Sequence, residues 1–168
     1  MKKIKNLRVS ARTVVLTSVA VAGLVTAMVR TALATPGEGA FPTLIAGPVA
    51  LDELDIKGET ETHELELKTK GISQSLIVRF HIAPGGHTGW HSHPGPAFVM
   101  VKAGTLTLYY ADNPDVGVDY PAGTGWVEEP GRVHIARNHG EDVEVELDAF
   151  LLVPLGAPLR IDEPDPKG

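Results

Sequence analysis

The chain has no cysteine. Thiolate metal ligands, cysteine nucleophiles and disulfide staples are therefore excluded, and stability has to come from a packed core. Aromatic residues make up only 5% of the sequence, so that core must be built mainly from aliphatic side chains. Basic residues are also scarce where they would matter. Of fifteen Lys and Arg, six lie within the first 34 residues, and no Asp or Glu does. Without that segment the chain carries nine basic and 21 acidic residues, a net charge of −12. Such a balance disfavours nucleic acid and anionic membrane surfaces as partners, because both demand a basic footprint. After residue 34 no segment shows a capped helical period. A Ser-His-Asp order and paired acid/base carboxylates cannot be assigned either.

The first 34 residues have the pattern of a secretory signal. Lys2, Lys3, Lys5, Arg8 and Arg12 form a positive head, and Val14 to Val29 an apolar run. Ala32 and Ala34 then give the small-x-small spacing that signal peptidases read. The run has 16 residues, diluted by Thr17, Ser18, Gly23 and Thr26, whereas a bilayer span needs about 20. Cleavage after Ala34 and export to the periplasm or beyond is the expectation, with an uncleaved membrane anchor as the rival. The mature chain then has one domain's length. Thr35 to Gly47 reads as a flexible leader, residues 48–160 as the domain, and residues 161–168 as a polar surface tail.

Between leader and tail the pattern is that of short strands punctuated by Gly and Pro. In Gln74–Ile82, Leu76, Val78 and Phe80 alternate with Ile77, Arg79 and His81. In Val143–Val153, Val145, Leu147, Ala149 and Leu151 alternate with Glu144, Glu146 and Asp148. Thr105–Tyr110 has high β propensity. Thr62–Lys68 alternates as well and predicts a half-buried strand with His63, Leu65 and Leu67 on one face, His63 at the rim of the core. The fold class is all-β, a sandwich or a barrel.

The chemistry is concentrated in Gly85–Gly104, GGHTGWHSHPGPAFVMVKAG. Residues i and i+2 of an extended strand share a face, so His91 and His93 can hold one metal ion together. A third ligand must come from elsewhere, and His134, after a Pro-Gly turn, is the candidate. The competing reading of His91 and His93 is a pair of solvated strand residues. Their apolar neighbours, Trp90 and Phe98 to Val101, argue against it. His87 is read as a pocket-mouth or solvated residue and not as a ligand. Imidazole suits Fe, Zn, Ni and Cu alike, and Mn is not distinguished from them, so the cofactor expected is a divalent metal ion of open identity.

These two stretches resemble the cupin superfamily. Its first motif, G-x5-H-x-H-x3/4-E-x6-G, is matched by Gly85, His91, His93 and Gly104, with Ala97 at the Glu position. Its second, G-x5-P-x-G-x2-H-x3-N, is matched by Gly123, Gly131, His134 and Asn138, with Glu129 at the Pro position. The resemblance implies a single-domain double-stranded β-helix, a jelly-roll barrel. It also implies a metal held by His91, His93 and His134, without the carboxylate that Ala97 replaces. Glu128 or Glu129 can supply one, although exposed loop acids are the commoner reading of both. The functions that fit are a metal-dependent oxygenase acting on a small organic molecule, a non-catalytic metal or small-ligand binding module of the cell envelope, and a structural barrel. Cupins often dimerise through sheet edges, so a homodimer is allowed.

Overall fold

The computed structural model describes residues 34–168; the segment read as a secretory signal therefore lies outside the described residues, apart from Ala34 at its end. Among the described residues no helix is long and apolar enough to cross a membrane. They form twelve strands: β1 Glu38–Leu51, β2 Asp55–Glu59, β3 Glu64–Lys68, β4 Ser73–His87, β5 His91–Ser92, β6 Ala97–Ala103, β7 Thr105–Tyr110, β8 Asn113–Pro121, β9 Gly125–Glu128, β10 His134–Arg137, β11 Val145–Pro154 and β12 Ile161–Asp162. Ten of them make one sheet that curls into a nearly closed jelly-roll barrel. One wall runs β1-β4-β11-β6-β9, and the other is built from β12, β5, β10, β7 and β8. The walls meet where Arg137 of β10 pairs with His87 of β4.

The alternation expected of β4 and β11 is what closes the core. Leu76, Val78 and Ile82 face inward beside Val145, Leu147, Ala149 and Leu151, all buried. Val99 and Val101 of β6 and Leu106 and Leu108 of β7 complete the interior. On the outer face Arg79 pairs with its register partner Asp148, Nε to Oδ1 at 2.7 Å and Nη2 to Oδ2 at 2.9 Å. The inside/outside parity of the two long strands thus separates an aliphatic interior from a charged exterior.

Two segments differ from expectation. Residues 38–47, read as leader, belong to β1, which pairs with β4 from Glu38↔His87 to Leu51↔Ser73 through three irregularities in register. The Pro and Gly residues that suggested a loose segment are accommodated because β1 is a sheet edge. Residues 64–68 do alternate, but β3 pairs only with β2, as a hairpin outside the barrel. Leu65 is therefore 48% exposed and His63 is also exposed. Alternation defines a face, and here no second layer covers it.

Gly89 ends β4 and redirects the chain into β5. It has φ +73°, and a Cβ there would stand 2.1 Å from the Thr35 carbonyl oxygen. Gly156 has a similar φ, +78°, in open space. Ala at Gly156 should therefore cost only the left-handed backbone penalty, about 1–2 kcal/mol. Ala at Gly89 should cost clearly more, because Thr35 must also move. Chemical denaturation of both variants measures the difference, and equal losses would show that the Thr35 contact carries no weight.

Candidate metal centre

Three elements bring the histidines together. His91 begins β5 and is the register partner of His134 in β10, with ring centroids 4.3 Å apart. His93 follows β5, its ring centroid 4.9 Å from His91 and 5.4 Å from His134. One nitrogen from each lies within 4.8 Å of the others. All three side chains are buried, His134 completely.

The backbone selects which nitrogen faces the centre. Each Nδ1 lies within hydrogen-bond distance of a carbonyl oxygen: His91 to Gly89 at 2.8 Å, His93 to Leu159 at 2.6 Å and His134 to Arg132 at 2.9 Å. A carbonyl only accepts, so each Nδ1 carries the proton and donates it. Each Nε2 is left with its lone pair. Metal-bound histidines are commonly oriented in this way. His134 Nε2 is buried without a formed hydrogen bond, a costly state for a polar atom unless a cation binds there. The donor set fits a divalent ion held through the three Nε2 atoms.

A carboxylate lies beside two of the histidines. Glu128, the last residue of β9, is 6% exposed. Its Oε2 is 3.2 Å from His93 Nε2 and its Oε1 is 3.2 Å from His134 Nε2. Burial alone would raise its pKa, but His134 and His93 outweigh this and hold Glu128 far below the usual carboxylate range. Burial likewise opposes charge on His134, yet the Glu128 carboxylate prevails and raises its pKa above the ordinary imidazole value. His91 moves the other way. Burial, then the nearby charges of His134, Arg160 and His93, lower its pKa well below the imidazole norm. A carboxylate facing imidazole lone pairs calls for a cation between them, either a proton or a metal.

Glu129 is exposed and pairs with Arg132 at 3.5 Å, so the exposed-acid reading holds for it and fails for Glu128. His87 ends β4 opposite Glu38 and Arg137, outside the group of three. Its Nδ1 accepts from the Gly89 N–H at 3.1 Å. Asn138 is buried and structural. Its Nδ2 donates to the carbonyls of Ile82 and Val143, and its Oδ1 accepts from the Gly140 N–H.

The C-terminal residues supporting this site, Leu159 at the end of the expected domain and the tail after it, were not evident from sequence. Leu159 orients His93 through its carbonyl, and β12 pairs with β5 as Ile161↔Ser92 and Asp162↔His91. Glu163 accepts from Ser92 Oγ at 2.9 Å, and its N–H donates to the Trp90 carbonyl. A polar, proline-containing tail reads as surface. Its contribution is mostly backbone, which side-chain patterning does not reveal.

His91, His93 and Glu128 line a cavity of about 770 Å3. Its remaining walls are largely apolar, including Leu76, Val78, Phe80, Val99 and Trp126. Leu44 and Pro48 of β1, both exposed, rim it, and Arg160 and Asp162 supply charge at its edge. The size is that of a pocket for a small organic molecule.

The model of the cupin domain family matches residues 78–153. Residues 78–153 therefore form a cupin domain. A cupin-2 domain protein from Rhodospirillum rubrum is similar over 76% of this chain and 68% of its own, at 11% identity and a TM-score of 0.51. A cupin domain from Bordetella pertussis is 19% identical over 71% of this chain and 97% of its own, with a TM-score of 0.45. A conserved protein of unknown function from Streptococcus pyogenes is 20% identical, with a TM-score of 0.42; the match covers 48% of this chain and 65% of that protein. At these identities the likeness concerns the fold alone. No curated protein shows significant similarity to the sequence.

Protons and metal compete for the same Nε2 atoms. Because His134 is held above the ordinary imidazole value, its proton still competes above pH 6.5. Zinc affinity should therefore rise with pH through 6.5 and continue to rise above it, with proton release visible as a buffer-dependent binding enthalpy. His87→Ala should follow the wild-type curve. An affinity independent of pH would contradict binding through the three imidazoles.

Proposed function

We propose that this chain is an exported cupin that holds a divalent metal through His91, His93 and His134 and oxidises a small, largely apolar organic molecule with dioxygen. The observation carrying this reading is the position of the imidazoles. His91 and His93 lie on the wall of an apolar cavity large enough for an organic ligand. A buried structural site would have no need of such a cavity.

A redox-active ion such as Fe(II), bound there, would supply dioxygen binding and electron transfer. The chain's own residues do the rest. Phe80, Val99, Trp126 and Leu147 surround an organic body and exclude water from it. Arg160 at the cavity edge attracts an anionic oxygen or thiolate toward the histidines. Glu128, buried beside them and held as a carboxylate, can accept a hydrogen bond from an acidic ligand such as an enol or a thiol. Ligands with that chemistry include β-diketones and small thiols.

Oxygen uptake by iron-loaded protein, supplied with pools of β-diketones and small thiols, tests the activity. Uptake should require iron and a pool member, and should fall at least a hundredfold in His93→Ala. Firmly held metal with no uptake from any pool would instead identify a non-catalytic binding module. Export is supported by the basic head, apolar run and Ala-x-Ala spacing of the first 34 residues. The protein isolated from its own cell should begin at Thr35, outside the cytoplasm. Full-length protein in the cytosol would refute that part.

A further inference from the structure

Ala97 occupies the position of the family's carboxylate, and a methyl group cannot bind a metal. Directly across the sheet from it is a carboxylate. Ala97 and Glu128 are register partners in the antiparallel β6–β9 pair, and both are buried. Directly opposed residues project from the same face of a sheet. The parity of β9 agrees, since Trp126 and Glu128 line the cavity while Val127 is 49% exposed.

Two distances, to His93 and to His134, fit a shared ion. Ligand atoms bound at about 2.0–2.2 Å, in geometries from octahedral to tetrahedral, stand about 2.8–3.6 Å from one another. Glu128 offers one oxygen 3.2 Å from His93 Nε2 and the other 3.2 Å from His134 Nε2. We propose that Glu128 is the fourth ligand of this centre, its carboxylate delivered from β9 in place of the one that β6 lacks. Ala97 is small for the same reason, since a long side chain there would compete for the space that Glu128 fills. The assignment rests on the three-histidine reading. It reduces the charge of the occupied site from +2 to +1, which favours hard divalent ions and weakens the pull on anionic ligands.

Zinc and cobalt(II) are suitable probes, with wild type, Glu128→Gln, Ala97→Glu and the Glu128→Ala/Ala97→Glu double variant compared. Zinc affinity, measured by chelator competition, should fall at least tenfold in Glu128→Gln, and the cobalt(II) visible spectrum should change. The double variant should recover most of the lost affinity, because its carboxylate returns from the facing strand. Ala97→Glu alone should gain nothing, since it crowds two carboxylates into one place. Thermal melts without metal verify that each variant folds. If wild type holds no zinc, the three-histidine reading fails and the Glu128 assignment fails with it. If wild type binds but Glu128→Gln binds as tightly, or keeps the same cobalt(II) spectrum, only the Glu128 assignment is overturned. A gain in Ala97→Glu alone would overturn it as well.

Discussion

Three hydrogen bonds from imidazole to backbone underlie the rest of the site. Gly89, Leu159 and Arg132 each accept from an Nδ1, which leaves the three Nε2 atoms free for one ion. Without them each imidazole could carry its proton on either nitrogen and rotate about its side chain. The barrel supplies these carbonyls from three separate segments: the turn after β4, the loop before β10 and the stretch before β12. This makes the fold a precondition of the chemistry, since no local segment contains the whole arrangement.

The remaining architecture supports that point. Gly89 allows the tight turn whose carbonyl holds His91, and Thr35 packs against it. Glu163 and β12 secure β5, a strand of only two residues that could not hold its place alone. The aliphatic wall of β4, β6 and β11 then leaves open space beside the histidines. An apolar cavity next to a cation strengthens every electrostatic interaction made there, because water is displaced.

Much of this was legible in the sequence, and the exceptions share a cause. The alternation of Leu76, Val78 and Phe80 and of Val145, Leu147 and Ala149 identified inner faces correctly, because those strands are covered on one side. The same pattern in Glu64–Lys68 pointed to a buried face that does not exist, because periodicity does not reveal what packs against it. His91, His93 and His134 could be named from spacing and motif. Glu128 could be raised as a carboxylate donor but not distinguished from Glu129. What separates them is the β6–β9 register, which sets Glu128 against Ala97 and leaves Glu129 beyond the strand end. The contribution of residues 159–163 was hidden for a related reason. Leu159 acts through its carbonyl, and every residue has one.

The central claim is that a metal binds where the three Nε2 atoms converge. A crystal structure of the zinc-loaded protein, with an anomalous difference map at the zinc edge, tests it directly. The account predicts one strong peak about 2.0–2.1 Å from Nε2 of His91, His93 and His134. A peak bound through Nδ1, a peak centred on other residues, or no peak in the cavity would contradict it.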